Sequence, residues 1–433
     1  MTQRAGRTMA VNTSSPLRAW SWIPTLYFGQ GIPYVVVMTV AVVMYKNLGI
    51  SNTAIALYTS WLYLPWVIKP LWSPLVDLLG TKRRWIVALQ FAVGAALALV
   101  ALTLPGPDFF RWTLLVFWLL AFSSATHDIA ADGFYLLALP PHQQAAFVGV
   151  RSTFYRLAMI AGQGALVWLA GTLQQRLGDT ARAWVVVFWI LSAGFGTIAI
   201  YHLLVLPRPT EDRPAPRVAV DPWRSFAAVF VEFFRKPQVL TMLGFLLFYR
   251  FAEAQLVKLV TPFLLDARSD GGLGLTTQAV GLVYGTAGVL ALTIGGIAGG
   301  WLISHYGLKR MLWPMAVAIN APNVVYVLLA WFQPQSLTVI GAALCVEQFG
   351  YGLGFAAYLV YMMMVAAGPH QTAHYALCTG FMALGMMLPG MPAGWLQKQI
   401  GYVSFFGWVC VATLPSLVMT GLITVDPKFG KKT

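Results

Sequence analysis

Long apolar runs separated by short polar breaks fill the chain from about residue 20 to residue 424. "WIVALQFAVGAALALVALTLP" (85–105) and "AWVVVFWILSAGFGTIAIYHLLVLP" (183–207) each exceed the ~20 residues that a hydrocarbon layer about 30 Å thick demands of a helix. Runs of this kind predict twelve spans, near 20–45, 52–79, 84–104, 112–139, 146–172, 183–206, 238–265, 276–304, 309–332, 337–366, 371–397 and 400–424. The predicted fold class is all-α, a polytopic membrane protein with 12 transmembrane helices in two six-helix bundles.

The division into bundles comes from the polar breaks. "PRPTEDRPAPRVAVDPWRSF" (207–226) is rich in proline and charge and reads as a linker. It separates a first bundle over 1–206 from a second over 237–433, with 207–236 between them. Two short echoes support a duplication. "SPLVDLLGTKRR" (73–84) recurs as "GGWLISHYGLKR" (from 299), which aligns Gly80, Lys82 and Arg83 with Gly307, Lys309 and Arg310. "AGTLQQRLG" (170–178) recurs as "AGWLQKQIG" (393–401) at the matching place in the second bundle.

Composition agrees with the pattern: 58% of residues are hydrophobic and 10% charged, against roughly 45–50% and about 25% in ordinary soluble proteins. The formal charge of +14 raises the question of nucleic acid, but the basic residues follow topology. With the N-terminus in the cytoplasm, the inner segments collect Arg4, Arg7, Arg18, Lys82, Arg83, Arg84, Arg151, the linker arginines, Lys309, Arg310 and the C-terminal lysines. The outer segments hold Lys46, Arg111, Arg176, Arg182, Arg268 and Lys398. That bias is the positive-inside rule, with both termini cytoplasmic and no nucleic-acid partner. The first nineteen residues lack a cleavable signal pattern, so the first span is expected to insert itself. Cys345, Cys378 and Cys410 fall inside spans without paired spacing and read as small apolar side chains.

Six plus six spans, with a basic turn after the second of each half, resembles the major facilitator superfamily. "SPLVDLLGTKRR" is similar to that superfamily's loop motif through Asp77, Gly80, Lys82 and Arg83, with Ser73 in place of the first glycine and Ser304 replacing the aspartate in the second copy. The resemblance implies a gating role for these residues; plain topology signalling is the alternative. A narrower resemblance, to the AmpG muropeptide permease and acetyl-CoA transporter family, is carried by "KPLWSPLVD" (69–77), "DIAAD" (128–132), "YRLAMIAGQGALVWLA" (155–170), "YRFAEA" (249–254) and "EQFGYGLGFAAYLV" (347–360). It implies a proton-driven importer of anhydro-muropeptides in the inner membrane; separately, the chain is expected to be a monomer. Twelve spans rather than the fourteen of some members, and His127 and Gly133 around the acidic motif, depart from the family pattern.

The charges buried in the spans carry the chemistry. "THDIAADGFY" (126–135) places Asp128 and Asp132 four residues apart on one helix face. At hydrocarbon depth they are joined by Glu253 and Glu347, and by Lys69, Arg156, Arg250 and Lys258. Each would cost roughly 2.5–3.5 kcal/mol facing lipid, so they are expected to face protein or a polar cavity. By analogy with the superfamily, spans 1, 4, 7 and 10 line that cavity and present Tyr27, Gln30, Tyr34, Asp128, Asp132, Arg250, Glu253, Glu347, Tyr351 and Tyr358. The expectation is that Asp128, Asp132, Glu253 and Glu347 supply proton coupling. Substrate binding is expected from Tyr27, Gln30, Tyr34, Arg156, Arg250, Tyr351 and Tyr358.

Asp128 and Arg156, at similar depth on antiparallel spans, are expected within reach of each other; a static salt bridge is the competing role for that pair. Glu347 is expected either to pair with Lys258 or Arg250 or to work in transport. Lys69 is expected to serve Asp77 or a helix end, and His127, pointing away from Asp128, to be a packed, hydrogen-bonded histidine. His370 and His374 have a zinc-pair spacing but no adjacent third ligand, so no metal is expected, nor any cofactor. The expected partners are protons, the lipid bilayer and a small anionic or sugar-peptide substrate, with acyl-CoA or another anionic solute as the alternative. A non-transporting membrane sensor is the reading from another class. An enzyme is not expected, since no nucleophile is positioned beside His127 and Asp128.

Overall fold

The computed structural model describes residues 16–213, 227, 230–368, 371–427 and 429–431; within them the side chains of residues 16, 17, 74, 77, 78, 141, 142, 145, 148 and 372 lie outside the description. Among the described residues the regular secondary structure is helical. Ten helices are long and apolar enough to cross a membrane, from Arg18–Asn47 to Ala393–Leu422. The second pass is built from Asn52–Trp61 and Leu64–Leu79. The eleventh begins as Gln371–Gly390, and Ala393–Val411 contains a non-helical Gly401 that turns the chain into the last pass. With these two, the described residues trace twelve passes.

The repeat seen in sequence marks equivalent corners. Gly178 and Gly401 both adopt positive φ, 63° and 74°, a left-handed conformation that a Cβ disfavours. They end the fifth and eleventh passes alike. The other echo is less symmetric. Gly307 has φ 85°, whereas Gly80, between helices Leu64–Leu79 and Lys82–Thr103, is fully extended at φ 179°, so a positive-φ glycine marks this corner only in the second copy.

Apolar clusters fill each half and run on between them, with Ala383 and Met386 joining the cluster of the first half and Ala56 that of the second. Val36, Met44, Phe117, Trp184 and Phe188 sit in the first; Phe263, Tyr326 and Phe406 in the second. Large apolar side chains such as Leu102, Leu115, Leu204, Leu240, Trp301 and Phe332 are exposed on the outside, as helices facing acyl chains require. Between the halves, the fifth and eighth passes meet through two π-helical segments, Ala161–Leu166 and Gly281–Gly288. The backbones touch: a Cβ added at Gly285 would stand 1.9 Å from the Gln163 carbonyl oxygen. Small residues permit this approach in a membrane, where van der Waals contact rather than water exclusion draws helices together.

Helix breaks lie where the chain borders the space between the halves. The second pass is interrupted at Leu62 and Tyr63, just before Pro65. The seventh breaks between Val239–Phe248 and Phe251–Leu265, which leaves Arg250 as an N-cap residue with φ −108°. These breaks free backbone groups that only a protein-lined or water-lined space tolerates at membrane depth.

Candidate functional site

Both halves line one cavity of about 460 Å³. The first half contributes Tyr34, Tyr63, Trp66, Lys69, Asp128, Tyr155 and Arg156, and the second Arg250, Glu253, Lys258, Tyr284, Tyr326, Glu347 and Tyr351. Asp128 of the fourth pass, Arg250, Glu253 and Lys258 of the seventh and Glu347 of the tenth therefore share one hollow, which Asp132 does not line. Its aromatic and methionine surface surrounds a few convergent polar groups, the make-up of a small-molecule site.

Three carboxylates in it are held differently. Glu253 is clamped by Arg250, with Nε to Oε2 at 2.8 Å and Nη2 to Oε1 at 2.7 Å. The same Nη2 donates to the Tyr351 hydroxyl at 2.7 Å, and the guanidinium lies 4.8 Å from the Phe355 ring centroid. The bidentate fork suits a carboxylate, and the three-residue spacing across the helix break brings the two side chains together.

Glu347 is buried and accepts from the Tyr326 hydroxyl and from Gln348 Nε2, both at 2.9 Å. The expected pairing of Glu347 with Lys258 or Arg250 does not occur: Arg250 is taken by Glu253, and Lys258 donates to Thr59 Oγ1 at 3.0 Å. Asp128 accepts from Trp66 Nε1 at 3.1 Å, with the Gln30 amide beside it and Lys69 as the cation acting on it.

Asp128 and Arg156 line the same cavity but form no ion pair among the described residues. Arg156 points across to the second half, where a Cβ on Gly296 would lie 3.2 Å from its Nη2. Equal depth fixed only height; the side chain's direction follows the gap left by that glycine. The arginine that does pair in this region is Arg151, 2.7 Å from Asp132. Its guanidinium is sandwiched 4.5 Å from the Tyr27 centroid and 4.8 Å from that of Tyr135, and Tyr27 donates to Asp132 at 3.2 Å. This cluster stands nearer the end carrying the termini, and the Asp132 side chain is 48% exposed.

Tyr27, Gln30, Asp132 and Tyr358 are thus set apart from the cavity lining. Tyr358 stacks on Tyr249 and donates to the Leu246 carbonyl. Lys69, assigned from sequence to Asp77 or a helix end, instead lines the cavity; the Asp77 side chain lies outside the described residues. His127 is packed as expected, in a buried relay: Thr25 to His202 at 2.9 Å, His202 Nδ1 to Gln90 Oε1 at 2.9 Å, and Gln90 Nε2 to His127 Nε2 at 3.1 Å. His374 packs on Phe233, while His370 is outside the described residues.

The basic loop works through a residue that sequence reasoning missed. Asp212, beyond the sixth pass, accepts from the backbone N–H of Lys82 at 2.7 Å and of Arg83 at 3.0 Å, a carboxylate placed at the positive end of a helix. Arg83 donates to the carbonyls of Leu203 and Leu206 at the end of the sixth pass. The Lys82 stem crosses Gly133, where a Cβ would meet its Cε at 2.5 Å. Sequence gave one hint, an aspartate at the start of a charged linker.

The end of the bundle away from the termini is tied shut between the halves. Lys46 pairs with Asp266 and donates to Asn52 Oδ1 at 2.7 Å. Asn52 Nδ2 donates to Asp266, Gln397 and Tyr402 at 2.9–3.1 Å, Tyr402 donates to Asp266 at 2.6 Å, and Asn47 and Thr277 bond to each other at 2.7 and 2.8 Å. The residues that form this tie stand mostly at helix ends, and apart from Gln397, inside the second echo, no motif marks them in sequence.

Twelve passes in two repeated halves around a shared charged cavity are the architecture of a membrane carrier for solutes. Residues 25–388 match the family model described as Major Facilitator Superfamily, and the chain belongs to that superfamily. Among curated relatives, the anhydromuropeptide permease of Escherichia coli (strain K12) is 28% identical over 359 residues, covering 82% of this chain and 69% of that one. The putative transporter AmpG 4 of Rickettsia conorii (strain ATCC VR-613 / Malish 7) is 25% identical over 403 residues, covering 90% and 92%.

The fold matches a bacterial homologue of the human lysosomal transporter Spinster, with TM-score 0.69, 18% identity and 94% and 96% of the two chains covered. It also matches a D-xylose–proton symporter, with TM-score 0.67, 12% identity and coverage of 96% and 99%. These relatives and neighbours are multi-pass membrane transporters, not enzymes.

Proposed function

We propose that this transporter imports anhydro-muropeptides, or closely related sugar-peptides, across an inner membrane by alternating access, with proton entry driving uptake and both termini in the cytoplasm. The observation that carries this reading is a charged cavity reached by both halves, in which Asp128 and Arg156 stand without ion-pair partners among the described residues while Glu253 is already neutralised by Arg250. The likeness to the anhydromuropeptide permease and to the putative transporter AmpG 4 supports the substrate. The tie through Lys46, Asn52 and Asp266 fits a carrier closed to the outside.

In this reading Asp128 is the residue that takes up and releases the coupling proton, with Glu347 as a second carboxylate held by neutral donors. Arg156 receives an anionic group of the substrate. Tyr34, Tyr63 and Tyr351 offer ring faces and hydroxyls to a sugar. Arg250 and Glu253 keep the broken seventh pass fixed, and Asp132 with Arg151 belongs to the cytoplasmic end. The two bundles, 1–206 and 237–433, rock about the site, joined by the linker over 207–236.

The test is uptake into proteoliposomes of a labelled N-acetylglucosaminyl-anhydro-N-acetylmuramyl tripeptide, with and without an inwardly directed proton gradient. Accumulation only with the gradient supports the reading. Accumulation of acetyl-CoA instead would favour the anionic-solute alternative, and saturable binding without counterflow would favour a sensor.

A further inference from the structure

Lys258 lies at the closed end of the cavity, on the outer half of the seventh pass, and is 2% exposed. Its ammonium donates to Thr59 Oγ1 at 3.0 Å and stands 5.1 Å from the centroid of the Tyr63 ring. Thr59 donates its own hydroxyl hydrogen bond to the Ile55 carbonyl at 2.7 Å, so it serves Lys258 as an acceptor. Among the described residues Lys258 forms no ion pair.

A buried ammonium is normally matched by an anion, because removal from water costs more than neutral contacts return. Here one hydroxyl and one ring face occupy part of a group that can donate three hydrogen bonds. Close by, the buried Ser60 hydroxyl has no hydrogen-bond partner among the described residues; a Cβ on Gly390 would touch both Ser60 Oγ, at 2.8 Å, and Lys258 Cγ, at 3.4 Å. The other cavity cations are placed elsewhere: Arg250 is engaged by Glu253 and Tyr351, Lys69 acts on Asp128, and Arg156 reaches toward Gly296.

From this geometry we infer that Lys258 is a binding residue for a carboxylate of the transported solute, at a subsite at the closed end of the cavity separate from Arg156. The inference rests on the proposed import of an anionic sugar-peptide and deepens it. A peptide brings at least its C-terminal carboxylate, and Lys258 offers that group a positive charge with no protein anion competing for it. Position adds a consequence: the Lys258 bond to Thr59 joins the two halves, so a carboxylate drawing the ammonium away weakens a link on the side that must open.

The experiment uses the full chain in nanodiscs and measures binding of three probes: the labelled tripeptide sugar, the same molecule with its carboxylates amidated, and acetyl-CoA. Wild type, Lys258→Met and Lys258→Arg are compared. The expected result is at least a tenfold loss of affinity for the carboxylate form in Lys258→Met, partial recovery in Lys258→Arg, and equal affinity of wild type and Lys258→Met for the amidated form. Equal weakening of both forms, or no weakening of either, overturns the assignment. Should Lys258→Met not give folded protein, Lys258→Gln is read against the same pair.

Acetyl-CoA binding that depends on Lys258, without sugar-peptide binding, would leave the subsite standing and remove the proposed substrate. Sugar-peptide binding indifferent to Lys258 would do the reverse. Absence of binding by all three probes would overturn both.

Discussion

Asp128 and Glu253 face the same cavity from opposite halves, yet their surroundings give them different capacities. Glu253 is gripped by both arms of the Arg250 fork, and a proton arriving there would have to displace a charge-assisted pair. Asp128 is held by the indole of Trp66 with Lys69 at longer range, an arrangement in which either protonation state keeps a partner. Four carboxylates look alike in the sequence; the structure divides them by what stands opposite each. A fixed pair braces a broken helix, and a loosely held carboxylate is suited to change its charge during a cycle.

The sharpest way to break this contrast is to remove the brace. Arg250→Ala leaves Glu253 buried without its cation, and a loss of about 3–5 kcal/mol of stability is expected. It is read as reduced folded yield and a lowered Tm, with Arg250→Ala/Glu253→Gln recovering part of the loss. If Arg250→Ala matches the wild-type Tm, the Arg250–Glu253 pair is not a brace.

Next in size is the contact between the halves. Gly285→Ala forces a methyl against the Gln163 carbonyl, and overpacking of this kind costs about 1–3 kcal/mol. Tm in detergent should fall, while a substitution at Gly194, whose added Cβ meets nothing within 4 Å, should not lower it.

The tie at the far end is expected to be weaker. Asp266→Asn removes an ion pair and weakens hydrogen bonds from Asn52 and Tyr402. A shift of about 1.5 kcal/mol toward the opened state is expected, measured as faster labelling of a cysteine introduced at Leu275, which lies at that end outside the tie. Unchanged labelling would show that the tie does not hold that end closed.

The smallest effect belongs to Asp132→Asn. Its pair with Arg151 is half-exposed, so thermal stability should change by no more than about 1 kcal/mol. A larger loss would place Asp132 with the braced carboxylates instead.

The fold was legible because hydrocarbon thickness writes itself into run length and the repeat into "AGTLQQRLG" and "AGWLQKQIG", whose final glycines turn the chain in both halves. Part of the site was legible for a related reason: Asp128, Arg250, Glu253 and Glu347 are too costly to face lipid, and all four line the cavity. Partner choice was not legible. Helical spacing gives depth and face, but the turn of Arg156 toward Gly296 and the pairing of Arg151 with Asp132 depend on side-chain direction and on neighbouring helices. Trp66 and Lys69 were hidden because the break before Pro65 redirects the second pass. Asp212 was hidden because its partners are backbone groups far away in sequence.

Proton-gradient-driven uptake and counterflow of the labelled sugar-peptide, measured side by side for wild type and Asp128→Asn in proteoliposomes, test the central claim most directly. Asparagine keeps an acceptor for Trp66 but cannot carry a proton. The account predicts that Asp128→Asn loses accumulation against a gradient by at least tenfold while retaining counterflow. Wild-type accumulation by Asp128→Asn with an unaltered response to the gradient would contradict it.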